Sequence, residues 1–224
     1  MRAARGGTAV RGVWAAVPVK EFAGAKQRLA PLLNEARRRE LARAMLDDVL
    51  SALSAAPLAG ILLNSVEPEA TALARRYGAR VTTTEARAGH TRAVMAMAAL
   101  LKAEGIGAML TCPGDIPAVT AAEIGAVIAA HPPGPGFTIV PAHDRRGSNT
   151  ILMTPPDLIA LRFGDDSFLP HLEAARQQGF PPTIVEQPGI ARDLDGPEDV
   201  RAFLRSDLGR ATRARALLED WLSA

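Results

Sequence analysis

The chain of 224 residues has a single cysteine, Cys112, so no disulfide can form within it and no zinc site can be built on cysteine pairs. One thiol suits a reducing, cytoplasmic setting. Aromatic residues make up only 4%, too few for the stacking platforms that hold single-stranded nucleic acid. Neither sign of charge dominates. The 26 basic and 24 acidic residues are interspersed and leave a formal charge of +2, which gives no broad field for a nucleic-acid surface. No apolar run reaches the roughly 18 residues that a membrane helix needs. Residues 1–12 carry arginine and glycine with no apolar stretch behind them, and read as a flexible basic arm rather than a signal peptide. Repeats, low-complexity tracts and linkers are missing too, the turn at 132–136 being too short to separate domains. With 48% hydrophobic residues, the chain is expected to form one α/β domain over 13–204, followed by a helical extension over 205–224.

Lysine is the scarcest charged residue, with only Lys20, Lys26 and Lys102 in the whole chain. Two of the three fall in one loop, directly after the apolar run Val13–Val19. An ammonium on a flexible stem acts as a point charge against phosphate, and Arg28 in the same loop adds a planar fork for the same kind of ligand. The loop is therefore expected to present exposed cations to a polyphosphate. The plainer alternative is a solvated basic loop.

Val13–Val19 has no polar alternation, the pattern of a strand buried on both faces of a parallel sheet. Asn34 is placed to cap a helix with Leu41, Met45, Val49 and Leu53 at four-residue spacing, and Arg37, Arg38, Arg39 and Glu40 are expected to face water. Strand-like and helix-like segments then alternate, so parallel pairing through right-handed crossovers is predicted. Thr120 and Glu123 form a capping box. Pro197 at a first helical position, with Glu198 and Asp199 behind it, marks a helix start rather than a metal site. A terminal amphipathic helix with Leu208, Leu218 and Trp221 is left free to dock on the domain or on a second subunit.

Five further groups carry chemistry. Asp115 lies between two prolines just after the apolar strand ending at Cys112, where open α/β sheets place their ligand crevice. Asp193 and Asp195, two apart in an extended segment, share a face and can aim both carboxylates at one hard cation while Leu194 points inward. His90 and Thr91 sit at a helix N-terminus, where amides can face an anion or a base; a capping role for Thr91 serves equally well. Gly147, Ser148 and Asn149 offer backbone amides and short polar groups suited to a carboxylate or phosphate, and also suit an ordinary hairpin turn. Ser167 can cap the helix that follows Phe163-Gly164-Asp165-Asp166, with the amides beyond it as a second anion site. His171 on that helix reads as a packed or surface histidine.

These segments together resemble the 2-phospho-L-lactate guanylyltransferase family, whose members make a guanylylated intermediate on the way to the deazaflavin coenzyme F-420. The resemblance rests on Val17-Pro-Val-Lys20 through Lys26-Gln-Arg28-Leu29, Pro113-Gly-Asp115-Ile-Pro117, Arg146-Gly-Ser-Asn149, Phe163-Gly164-Asp-Asp-Ser167-Phe168 and Asp193-Leu-Asp195-Gly-Pro-Glu-Asp199. It implies a single-domain, Rossmann-like nucleotidyltransferase fold with a mostly parallel central sheet and helices on both faces. It also implies magnesium on Asp115, Asp193 and Asp195, and GTP against Lys20, Lys26, Arg28, His90 and Thr91. A small phosphorylated carboxylic acid would sit against Ser148, Asn149, Gly164 and Ser167, with neither nucleic acid nor membrane as a partner and a homodimer as a common assembly. The chain departs from the family pattern twice: it has His90-Thr91 where Leu-Asn is usual, and Arg146-Gly147-Ser148-Asn149 where Gly-Gly-Thr-Asn is usual. The expected reaction is transfer of GMP to 2-phospholactate, phosphoenolpyruvate or 3-phosphoglycerate. The alternatives are a nucleotide-binding regulatory protein without turnover and a sugar-nucleotide glycosyltransferase.

Overall fold

The computed structural model describes residues 12–223; the basic arm expected at 1–12 falls almost wholly outside them. Seven strands form one sheet in the order β3-β2-β1-β4-β6-β5-β7. They are β1 (Val13–Pro18), β2 (Gly60–Asn64), β3 (Arg80–Thr82), β4 (Ala108–Thr111), β5 (Gly136–Pro141), β6 (Ser148–Thr154) and β7 (Thr183–Ile184). The helices are α1 (Glu35–Ala55), α2 (Pro68–Arg76), α3 (His90–Ala103), α4 (Ala121–Ala130), α5 (Phe168–Gln177), α6 (Pro197–Arg205) and α7 (Arg213–Leu222).

Both faces of the sheet are covered, which is why its central strands carry no polar alternation. Ala15 and Val17 of β1, with Ile61, Leu63 and Leu110, point into a core completed by α1, α2, α4, α6 and α7. Ala16, Leu62 and Met109 point the other way, against Val94, Met97 and Leu101 of α3 and Phe168, Leu172 and Ala175 of α5. Among the described residues no helix is long and apolar enough to cross a membrane.

Parallel pairing holds for β1 with β2 and β4, for β2 with β3, and for β5 with β7. The expectation of parallel strands fails at β6, which runs antiparallel to both β4 and β5. Reversal of this one strand positions the site. In the register Thr111↔Ile151 and Met109↔Met153, the first residues of β6 lie at the carboxyl ends of β1 and β4. Ser148 and Asn149 therefore belong to a strand rather than to a free turn, and share the edge where ligands bind in open α/β sheets.

The caps follow the sequence. Asn34 accepts from Arg37 N–H, Thr120 and Glu123 close a capping box, and Asp199 accepts from Gly196 N–H at 2.7 Å. Arg38 departs from expectation: it is buried, and its guanidinium donates to Leu33 O at 2.9 Å. Satisfying a backbone carbonyl beside the core outweighs hydration of this one arginine. The terminal helix α7 docks on α1 of the same chain. Buried Asp48 accepts from the Arg213 and Ala214 amides, both at 2.9 Å, at the positive end of α7, and Ala214 and Leu218 enter the core.

Candidate active site

Two adjoining clefts open at the carboxyl edge of β1 and β4. The larger, of about 870 Å3, is walled by the loop from Val19 to Arg28, the N-terminus of α3 and Asp115 with Asp195. The smaller, of about 310 Å3, is walled by Thr111, Cys112, Ser148, Asn149, Phe163, Gly164 and Asp193. Lys20, His90 and Asp115, together with Pro18 and Pro113, line both, so anything filling one cleft meets anything filling the other along these side chains.

The basic loop is pinned at several points. Phe22 and Leu29 are buried, Phe22 N–H donates to the buried carboxylate of Glu67 at 2.9 Å, and Val19 N–H donates to Asn64 O at 2.9 Å. Lys20 and Arg28 are exposed, as expected for ligand-facing cations. Lys26 is not. Its side chain is only 10% exposed, and its Nζ donates to Asp115 at 2.7 Å and also pairs with Asp195. Lys26 adopts φ 53, ψ 44, a left-handed conformation that non-glycine residues seldom occupy, at a turn where its own carbonyl accepts from Leu29 N–H at 2.9 Å and its side chain makes the double ion pair. Burial alone would pull the ammonium down, but Asp115 and Asp195 outweigh it and keep Lys26 above its ordinary value. Burial would raise Asp115 in turn, and Lys26 holds it below the usual carboxylate range.

Asp115 and the 193–195 segment are tied together by Leu194 N–H, which donates to Asp115 O at 3.1 Å, while the Leu194 side chain is buried. Asp195 thus faces the larger cleft and Asp193 the smaller. Burial, then the nearby charges of Asp115 and Asp195, push Asp193 up to about 6. Among the described residues no three His, Cys, Asp or Glu side chains converge as a ready metal cage; the cation between Asp115 and Asp195 is the protein's own Lys26.

Ser167, expected against the acceptor, lies behind the wall of the smaller cleft and does not line it, nor does it cap α5. It has a helical conformation with no side-chain cap bond; it is buried, and its Oγ donates to Ser148 Oγ at 3.2 Å. The first amide of α5, Phe168 N–H, donates to Arg146 O at 2.9 Å, which removes it from any anion site. Gly164 is exposed, and a Cβ placed on it would meet nothing within 4 Å. Asn149 donates from Nδ2 to Ile190 O at 2.9 Å, so its side chain holds the segment leading to Asp193. Thr91 Oγ1 accepts from Phe163 N–H at 3.1 Å and clamps α3 to the Phe163 loop. His90 packs edge-on against Phe163 with ring centroids 4.5 Å apart, and burial pulls its imidazole below the ordinary value.

Some residues of the site carried no clear signal in the sequence. Arg87, paired with Glu21 at 3.0 Å, lines the larger cleft; only its place between β3 and α3 hinted at it. Glu67 anchors the basic loop from 45 residues away, which no local pattern could announce. Arg146, one of the departures from the family pattern, pairs with exposed Asp166 at 2.8 Å and lines neither cleft.

The fold and this edge-on pair of clefts define an α/β nucleotidyltransferase-type protein. A solved structure from Desulfovibrio desulfuricans G20, described provisionally as a nucleotide-diphospho-sugar transferase, shares the fold with a TM-score of 0.75 at 17% identity, over 93% of this chain and 94% of that one. The family described as "Guanylyl transferase CofC like" matches residues 13–219, and the chain belongs to it. A curated relative from Rubrobacter xylanophilus, named phosphoenolpyruvate guanylyltransferase, is 37% identical over 84% of this chain and 91% of its own length. Another from Methanothermobacter thermautotrophicus, named 2-phospho-L-lactate guanylyltransferase, is 29% identical over 91% of this chain and 88% of its own length.

Proposed function

We propose that the protein moves GMP from GTP to the phosphate of a three-carbon phospho-acid and releases pyrophosphate, as a step toward the deazaflavin coenzyme. The observation that carries this reading is the meeting of the two clefts at Lys20, His90 and Asp115: a donor triphosphate in the larger and an acceptor in the smaller would touch there. Phosphoenolpyruvate is the acceptor we place first, because the relatives at 35–37% identity bear its name.

An oxygen of the acceptor phosphate attacks the α-phosphorus of GTP. The bond from that phosphorus to the bridging oxygen breaks, and the electron pair leaves with pyrophosphate. With a second pKa of about 6, the acceptor phosphate is largely dianionic at neutral pH and needs no general base. Repulsion between two polyanions is the main barrier. Lys20 and Arg28 at the mouth, with Arg87 beside them, lower it by placing fixed positive charge along the triphosphate. Lys26 sets the carboxylates of Asp115 and Asp195 at the junction.

Asp115, Asp193 and Asp195 do not converge as a cage of three, but magnesium is usually held by one or two carboxylates together with substrate phosphates. The ammonium bridging Asp115 and Asp195 marks a place that demands positive charge, so these two carboxylates, with Asp193 nearby, fit magnesium. Magnesium bound there would screen the two phosphates and stabilise charge in the transition state.

The test is a panel of GTP, ATP, CTP and UTP against phosphoenolpyruvate, 2-phospholactate and 3-phosphoglycerate with magnesium, followed by pyrophosphate release and product mass. A guanylylated phospho-acid is expected. Product only from a nucleotide-sugar donor, or nucleotide binding with no turnover, would overturn the reading.

A further inference from the structure

The hydrogen bonds around Ser148 have a direction fixed by the backbone. Arg162 N–H donates to His171 Nε2 at 2.9 Å, so Nε2 carries no proton and the neutral ring bears its hydrogen on Nδ1. Nδ1 lies 2.9 Å from Ser148 Oγ and is therefore the donor in that contact. His171 is 1% exposed, and burial takes its pKa down to about 4, which agrees with a single proton. Ser167 Oγ donates to the same Ser148 oxygen at 3.2 Å. Both lone pairs of Ser148 Oγ are thus engaged. Its own hydrogen is left the fourth tetrahedral direction, in a side chain that lines the smaller cleft.

From this we infer that His171 is a positioning residue for the acceptor: together with Ser167 it turns Ser148 into an obligatory hydrogen-bond donor aimed at an anionic oxygen of the phospho-acid. A free serine rotates and can accept as readily as donate. One whose lone pairs are both filled can only donate, and it stands ready for a carboxylate or phosphate oxygen before the ligand arrives. His171 touches no ligand itself. Edge-on packing against Phe163 at 5.2 Å and the bond from Arg162 keep its ring from turning.

This inference rests on the phospho-acid reading, and wild-type protein that turns over none of the acids overturns both. Given wild-type turnover, His171→Phe keeps a planar ring and removes both nitrogens. Acceptor KM is expected to rise about tenfold, the loss of one hydrogen bond to a charged group, with the KM for GTP unchanged. His171→Asn returns an amide nitrogen near the Nδ1 position and should recover most of the loss, whereas His171→Gln, with its nitrogen nearer the Nε2 position, should not. In a Ser148→Ala background, changing His171 should add nothing further to the acceptor KM. An unchanged acceptor KM in folded His171→Phe, a parallel rise in both KM values, or an undiminished effect in the Ser148→Ala background would leave His171 a core residue and nothing more. Should His171→Phe fail to fold, equal behaviour of the Asn and Gln variants sinks the inference in its place.

Discussion

Lys26 with Asp115 and Asp195 are ions in contact at the larger cleft, whereas behind the Ser148 wall of the smaller one, on the side away from Asp193, the groups are neutral and joined through Ser148, Ser167 and His171. The difference matches what each would hold. A triphosphate brings charge that must be balanced, and an ion pair can open to share its cation and carboxylates with ligand and metal. A small acid must be oriented, and neutral hydrogen bonds of fixed direction do that without adding charge to a tight space. The two halves consequently fail in different ways when a side chain is removed.

The largest effect is expected from the charged half. Lys26→Ala leaves Asp115 and Asp195 facing each other and Asp193 without a counter-ion. Turnover should fall by up to about a thousandfold, about 4 kcal/mol of transition-state stabilisation. The fold should suffer too, because Lys26 is buried and not a free loop cation. Breaking a fully buried pair costs about 3–5 kcal/mol. The partner carboxylates here are 31% and 43% exposed, so about 2 kcal/mol is the better figure after screening by water. Urea unfolding in the presence of a chelator gives the stability, and steady-state kinetics the turnover. Wild-type values in both would make the Lys26 bridge an idle contact.

Acid should separate the neutral network from the carboxylates next, because His171 and Asp193 are shifted in opposite directions. His171 titrates at about 4 in the fold against an ordinary 6.5; its contribution is fully present above 6.5 and is lost as pH falls toward 4, as much as about 3 kcal/mol. Asp193 titrates at about 6 against an ordinary 3.8; its contribution is fully present below 3.8 and is lost as pH rises through 6, about 1 to 2 kcal/mol once its partial exposure is discounted. Asp193→Asn should therefore melt higher than wild type at pH 7 in chelator, with the gain gone by pH 4. The penalty of His171→Asn should be greatest above pH 6.5 and shrink toward pH 4. Offsets that stay constant across melts from pH 4 to 8 would refute both assignments.

This contrast also explains what the sequence made legible. The charged groups announced themselves because lysine is scarce and because Asp115, Asp193 and Asp195 sit in segments whose strand and turn chemistry is local. The strands buried on both faces, the caps at Asn34, Thr120 and Pro197, and the order of elements were readable for the same reason. The neutral groups were not. Ser148 becomes a wall of the cleft only because β6 runs against its neighbours, a reversal made by pairing between distant segments. Ser167 looks like a helix cap in one dimension, and only burial beside Ser148 turns it inward. His171, one turn along α5, carries no mark in the sequence beyond being a histidine. Lys26 was found as a charge but misjudged in exposure, since the carboxylates that bury it are 89 and 169 residues away.

The smallest of these effects tests the division of labour between the clefts most directly. Gly164 lines the smaller cleft and not the larger. A Cβ there meets no atom within 4 Å, so Gly164→Val should fold with little change in melting temperature. Its isopropyl group would instead project into open space at the cleft wall and take room from whatever binds there. Acceptor KM should rise about tenfold, about 1.4 kcal/mol, while GTP affinity measured separately stays near wild type. Lys20, His90 and Asp115 are common to both clefts, so substitutions at those positions cannot separate the two ligands; Gly164 can. If GTP binding collapses in this variant and acceptor binding holds, the nucleotide occupies the cleft bordered by Ser148 and Gly164, and the two halves have been assigned the wrong way round.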